Sequence, residues 1–337
     1  MELHFEALAE DQPGARWQHW FHTLWPAYRA WYLAAGNAAR PTYLECERAM
    51  HTYLPKFVPT WERLTDLAGG GDLEARFLSL YCPPPYLTGC SQAAWVYPAP
   101  MLVRNYDYSP FLCEKLIWRT AWNGRAVIAA SDCMVGALDG INDAGLSVSL
   151  SFGGRKDSGV GFGAPMIVRY VLEFCNTVAE AAETLRRIPV NMAYNILLLD
   201  AFGNYMTAYT SPDGPTILRR ISVNTNHQDR VRWARHAEAT DTLERERRLH
   251  ELQANRALYP ADIVNQFLLP PLYQTKYRRG WGTLYTAVYH PLSHVAEFIW
   301  PDMRWTQHID NFQEARHILN VNWGESPSDI VLNGANF

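Results

Sequence analysis

At 337 residues the chain is too long for a disulfide-stapled miniprotein, and at about 150 residues per domain it fits one large domain or two ordinary ones. Hydrophobic residues at 48% against 19% charged ones exclude a disordered chain, and a net charge of -4 with no Lys/Arg block excludes the basic stripe that nucleic acid requires. The acidic N-terminus lacks the apolar core of a secretory signal, and NILLLDAF is interrupted by Asp200 well short of the roughly 18 apolar residues of a membrane span. A cytoplasmic protein with neither nucleic-acid nor membrane partners is expected. The six cysteines form no CxxC pair and read as thiols in a reducing compartment.

In chain order, Trp17, Trp20, Phe21, Leu24, Trp25, Tyr28, Trp31 and Tyr32 recur at spacings of three and four, which predicts one wide apolar helix face, with a kink or restart at Pro26. A second helical stretch, Thr42 to Leu67, stops at Gly69-Gly70-Gly71, and Cys82-Pro83-Pro84-Pro85 then stiffens the approach to Gly89-Cys90. From Cys90 to Phe152 the pattern becomes short strands: SQAAWVY, MLVRNYDY, KLIWRTAW, RAVIAAS and GLSVSLSF. A glycine-rich loop, Gly153 to Gly163, reads as a flexible pocket edge and precedes a helix over Ala164 to Phe174. Thr177 and Glu180 open a second helix through a capping box. Strands AYNILLLD, NYMTAYT and ILRRISVN follow, then a charged helix at Thr242 to Arg256, and a late hairpin of LYTAVYH and HVAEFIW. This order argues for α+β layering, two antiparallel sheets face to face with helices outside.

Common catalytic signatures are missing: no GxSxG, HExxH or P-loop lysine, and Pro291 between His290 and His294 argues against a metal-binding helix face. No metal and no cofactor are expected. Cys90 is the residue that stands out. It follows a glycine directly, between a proline-stiffened linker and the first strand. A thiol there can attack the preceding carbonyl, and glycine removes the Cβ that would hinder a twisted peptide. Breaking the C–N bond would free an α-amino group with a reference pKa of about 7.7, basic enough to take the thiol proton once water has hydrolysed the thioester. The competing reading is a turn followed by a buried structural thiol.

The blocks TGCSQAAWVYPAPMLVRNYDYSP, LDGINDAGLSVSLSFGG and VNTNHQ resemble the N-terminal-nucleophile (Ntn) cysteine hydrolases, a group that includes acyl-coenzyme A:6-aminopenicillanate acyltransferase and carcinine hydrolase, with choloylglycine hydrolases more distant. The resemblance runs from about Gly89 to His290. It implies a four-layer αββα sandwich with an N-terminal helical propeptide, residues 1–89, ahead of a catalytic chain, residues 90–337, the two remaining associated after cleavage between Gly89 and Cys90. By position, Cys90 is the implied nucleophile. Arg104 and Asp107 are its companions, the one holding the thiolate and the other orienting the α-ammonium. An ordinary strand ion pair between Arg104 and Asp107 is the plainer alternative. Asn226 is the implied oxyanion donor, a role that needs an uncharged N–H; its plainer reading is a turn-capping residue.

Two positions depart from the bile-salt members. Ser151 before Phe152 stands where they have an asparagine, and Thr283 where they have an arginine, with Arg278 and Arg279 close in sequence as substitutes. Ser151, Phe152, Tyr106 and Thr283 are therefore candidates for the oxyanion or substrate pocket. The implied activity is cleavage or exchange of a linear amide on a small-molecule amide or acyl substrate, acyl-coenzyme A among the candidate donors; homo-oligomerisation stays open. Two other readings stand beside it: an uncut hydrolase using Cys90 with His227 as base, and a non-catalytic binding protein on the same scaffold.

Overall fold

The aromatic stripe forms one helix, α1 (Ala15–Tyr32), which contains Pro26 without restarting there. Trp17, Phe21 and Tyr32 are buried, and the Trp17 indole donates to the Met134 carbonyl at 2.9 Å, tying the helix to the body of the protein. In the computed structural model, which describes residues 2–320, the chain before this helix is β1 (Glu2–Glu10), a strand the sequence pattern did not reveal. The second helical stretch is divided at Leu54-Pro55 into α2 (Tyr43–Tyr53), opened by a Thr42–Glu45 capping box, and α3 (Val58–Leu67). After the glycine run comes α4 (Asp72–Leu78).

The rest of the chain runs β2 (Gly89–Trp95), β3 (Met101–Tyr108), β4 (Leu116–Thr120), β5 (Val127–Asp132), β6 (Gly136–Asn142), β7 (Ser147–Phe152), α5 (Ala164–Phe174), α6 (Val178–Arg187), β8 (Tyr194–Leu199) and β9 (Tyr205–Thr210). It continues through β10 (Ile217–Arg219), β11 (Val223–Asn224), α7 (Ala234–Ala239), α8 (Thr242–Ala254), α9 (Pro260–Phe267), β12 (Gly282–His290), β13 (Val295–Trp300), β14 (Met303–His308) and β15 (Ala315–Asn320). The run ILRRISVN, read as one strand, is two: β10 edges one sheet and β11 edges the other.

One sheet has the order β10-β9-β8-β7-β6-β5-β4-β1-β15, the other β11-β2-β3-β12-β13-β14. Among the described strands every pairing is antiparallel except β1 with β4. The period-two alternation of strand side chains assigns the layers. On β5, Val127 and Ala129 face the core shared with α1–α6, while Ile128 and Ala130 face the other sheet. On β3, Leu102 and Tyr106 join that inter-sheet core, and Met101 and Val103 pack under Leu249, Leu252, Val264 and Phe267 of α8 and α9. The result is a four-layer αββα sandwich, the α+β architecture expected from the element order.

Glycines explain why β6 carries no strand signature. A Cβ on Gly140 of β6 would lie 2.6 Å from the Ile128 carbonyl oxygen and 2.8 Å from Leu172 of α5, and one on Gly136 would lie 2.5 Å from Pro165. Helix α5 sits so close on β6 that only glycine fits, and two glycines in seven residues erase the strand signature.

Candidate active site

The central strands β2, β3 and β12 set the positions of the candidate residues. Cys90 pairs across the sheet with Tyr106, and Tyr106 with Tyr285, so these three form a row on the inner face. Gly89 pairs with Asp107, and Asp107 with Thr283, on the outer face toward α8. Thr283 and Tyr285 are two residues apart and would ordinarily share a face. A β-bulge between them sends their side chains to opposite sides.

Cys90 is buried at the start of β2. Its Sγ lies 3.2 Å from Arg104 Nη2, which donates to it, and 3.8 Å from Thr88 Oγ1. The Cys90 N–H donates to Asn226 Oδ1 at 3.0 Å, and Arg245 Nη2 donates to the same oxygen at 2.7 Å. Two donors converging on one amide atom identify it as the oxygen, so the amide orientation is fixed. Asn226 Nδ2 then points elsewhere, buried and without a protein partner. This is an uncharged donor held ready next to the thiol-bearing residue.

Arg104 and Asp107 do not pair with each other. They lie three apart on β3 and face opposite sides of the sheet. Arg104 turns inward, its Nη1 on Asp139 of β6 and its guanidinium 4.9 Å from the centre of the Tyr106 ring. Asp139 also accepts hydrogen bonds from the hydroxyls of Tyr285, at 2.8 Å, and Tyr289. Asp107 turns outward, accepting from Arg245 Nη1 at 2.5 Å and Thr283 Oγ1 at 2.6 Å. All four charged side chains are fully buried. Burial opposes the charge on Arg104, but the adjacent Cys90 sulfur and Tyr285 outweigh it and hold its pKa above the ordinary arginine value.

Arg245 and Asp139 were not legible as site residues. Arg245 stands in the run ERERR of a charged helix and looks like any solvated arginine; Asp139 sits in the strand that the glycines conceal. Arg278 and Arg279 are exposed on the turn before β12, and Arg245 is the arginine that reaches Asp107.

Ser151 lies buried on the inner face of β7. Its hydroxyl donates to the Thr225 carbonyl at 2.8 Å and receives Gln92 Nε2 and Asn195 Nδ2 at 3.4 and 3.3 Å, so its one hydrogen is already engaged. Phe152 faces the other way, its ring 4.9 Å from His236. His227 Nε2 is 3.2 Å from Glu246 and its Nδ1 3.2 Å from Thr242 Oγ1; both ring nitrogens have partners other than Cys90. The loop read as a flexible pocket edge packs directly on the site: Gly154 has φ +74°, and a Cβ there would lie 2.5 Å from the Asn226 carbonyl oxygen.

Beyond Arg104 stands a second buried cluster. Tyr28 of α1 donates to Glu114 at 2.5 Å and accepts from the Cys133 N–H at 3.1 Å, while the Met134 N–H donates to Glu114 at 2.7 Å. Burial first, and then the charge of Glu114, raises the Asp132 carboxyl to about 8; burial likewise raises Glu114. His236 is pushed down to about 4 by burial and by Arg245. Burial pushes up the thiols of Cys46, to about 11, and Cys113, to about 12, as well as those of Cys82, Cys133 and Cys175. Among the described residues no group of three or more His, Cys, Asp or Glu side chains is arranged to hold a metal ion, and no helix is long and apolar enough to cross a membrane.

Two facing sheets between helical layers, with a buried cysteine at the head of a central strand, define an Ntn cysteine hydrolase fold. Residues 98–305 match the family model of acyl-coenzyme A:6-aminopenicillanic acid acyl-transferase, well over half of the chain, and the chain belongs to that family. It is accordingly an enzyme of the Ntn amidohydrolase and acyltransferase class. Comparison with curated proteins finds no match. Solved structures similar to it include a conjugated bile acid hydrolase from Clostridium perfringens (12% identity, 68% of this chain and 97% of that one, TM-score 0.48). Others are a penicillin V acylase from Agrobacterium tumefaciens (15%, 66% and 86%, 0.45) and a Caenorhabditis elegans N-acylethanolamine-hydrolyzing acid amidase ortholog (15%, 69% and 100%, 0.43).

Proposed function

We propose that the chain matures by cutting itself between Gly89 and Cys90 and then uses Cys90 to break or exchange a linear amide. The observation that carries this reading is the fixed Asn226 amide, whose oxygen is held by Cys90 N and Arg245 while its buried Nδ2 is left free. A donor without a partner in a buried site suits an oxygen that becomes charged only during reaction.

In maturation the Cys90 sulfur adds to the Gly89 carbonyl carbon, the C–N bond breaks, and the nitrogen takes a proton to become the Cys90 α-amine. Water then hydrolyses the thioester, leaving a Gly89 carboxylate. Lack of a Cβ at Gly89 supports this step, since one would lie 3.1 Å from the Trp281 ring and 3.2 Å from Asp107 Cβ. In turnover the α-amine accepts the thiol proton while Arg104 faces the sulfur, and the thiolate attacks the substrate carbonyl. Asn226 Nδ2 holds the oxyanion, and the α-ammonium returns its proton to the leaving amine. Water or a second amine takes the acyl group from sulfur. The register of Asp107 opposite Gly89 supports reading it as the carboxylate that orients the α-ammonium.

Small N-acyl amides are the proposed substrate class, with acyl thioesters as alternative donors. Intact-mass measurement tests the first step: the parent protein yields fragments 1–89 and 90–337, and Cys90→Ala stays whole. A parent protein that remains one piece, with Cys90 unreactive to N-terminal amine labelling, overturns it. A screen of N-acyl amides against the processed protein, with and without an added amine acceptor, separates hydrolase from transferase.

A further inference from the structure

We infer that Asp139 is a positioning residue that sets how strongly Arg104 favours the thiolate of Cys90. The inference rests on the reading of Cys90 as nucleophile and goes beyond it to the way that nucleophile is tuned. One guanidinium serves two acceptors: Nη1 is bonded to Asp139 and Nη2 to Cys90 Sγ at 3.2 Å, while Nε has no partner. With the cysteine as a thiol, Arg104 and Asp139 already balance each other, both fully buried. Forming the thiolate adds a second negative group to the same cation, so the carboxylate competes with the sulfur for its charge.

Two hydroxyls moderate that competition. Tyr285 donates to Asp139 Oδ2 at 2.8 Å and Tyr289 to Oδ1, so neither oxygen depends on Arg104 alone. Each hydrogen bond stabilises charge on the carboxylate and releases part of the guanidinium's field to the sulfur. The clamp crosses the sandwich: Asp139 is on β6 of the nine-stranded sheet, whereas Arg104, Tyr285, Tyr289 and Cys90 are on the six-stranded one. It thereby fixes the guanidinium with one nitrogen turned to the sulfur. The other titratable groups around this network are Tyr106 on β3, Asp132 at the end of β5, and Cys113 ahead of β4, with Asp107 and Arg245 across the sheet.

The test is the ultraviolet absorbance of the Cys90 thiolate followed against pH in processed protein, with the same processed protein alkylated at Cys90 by iodoacetamide subtracted. Asp139→Asn removes the competing charge, and its midpoint should fall by about one pH unit relative to the parent. Tyr289→Phe leaves more of the carboxylate's charge on Arg104, so its midpoint should rise. The opposite signs separate tuning from a structural role, which would change stability with no change in midpoint. Should Asp139→Asn fail to fold, Tyr289→Phe alone decides. Midpoints equal to the parent in the folded variants overturn the inference and leave the nucleophile reading standing. A parent protein with no titration assignable to Cys90 overturns both, and the intact masses of the same samples show whether cleavage itself failed.

Discussion

Asp107 and Arg245 meet at 2.5 Å with neither side chain exposed, one on a strand and the other on a helix far along the chain. The same guanidinium reaches the oxygen of Asn226 with its other terminal nitrogen, at 2.7 Å. One arginine thus holds the carboxylate beside Gly89 and the amide beside Cys90 in fixed relation. Replacing it by methionine strands a buried carboxylate with only the Thr283 hydroxyl for company. The expected loss for Arg245→Met is about 3–5 kcal/mol of unfolding free energy, measured by chemical denaturation. The double variant Asp107→Asn with Arg245→Met should recover much of it, since no uncompensated charge remains.

Asn226 permits a sharper functional experiment. Asn226→Asp keeps an oxygen for Cys90 N and Arg245 and deletes the donor. It should fold while kcat on the best N-acyl amide falls about 10²–10³-fold, the usual cost of removing one oxyanion donor. A variant that retains parental kcat would assign the oxyanion to another group.

Asp132 makes stability depend on pH with a definite sign. Its carboxyl titrates at about 8 in the folded protein and at about 3.9 when unfolded, so between those values the folded state binds more protons. The stabilisation is full below about pH 4 and is lost as pH rises through about 8. Glu114, raised by burial, acts in the same direction. The melting temperature should therefore fall between about pH 5 and about pH 8, and Asp132→Asn should flatten that decline. An equal slope in the variant would locate the dependence elsewhere.

Backbone approach gives a paired test of packing. Gly140→Ala drives a methyl against the Ile128 carbonyl, which cannot move without disturbing β5, and should cost about 1–3 kcal/mol. Gly214→Ala enters open space and should stay within about 1 kcal/mol of the parent. Denaturation midpoints of the two variants, measured side by side, check both.

Local pattern was enough to place most strands, because period two and turn residues are written in adjacent positions. MLVRNYDY corresponds to β3 residue for residue, and Ala164 to Phe174 to α5. What escaped depends on distant partners. Strand β1 carries no hairpin signal because its neighbours are β4 and β15, far along the chain. Strand β6 is masked by glycines that answer to a helix. The same holds at the site: Cys90, Arg104, Asp107 and Asn226 belong to recognisable blocks and do gather around the head of β2. Arg245 and Asp139 are ordinary residues made special only by burial beside those four. The choice of Thr283 as a pocket residue resolves into a hydrogen bond to Asp107, a relation fixed by a bulge that no spacing rule announces.

The placement of β1 between β4 and β15 bears on what a break at Gly89 could achieve. Residues 1–89 carry that strand, hydrogen-bonded on both sides, parallel to β4 over Glu6–Glu10 and antiparallel to β15 over Glu2–Ala7. Pulling the leading fragment out would open a slot one strand wide and bare two rows of amide and carbonyl groups. Severing the backbone would therefore nick a single folded body rather than discharge a piece of it. Residues 90–337 made alone would be an incomplete sheet, prone to capture strands from other molecules until the missing partner is supplied in trans.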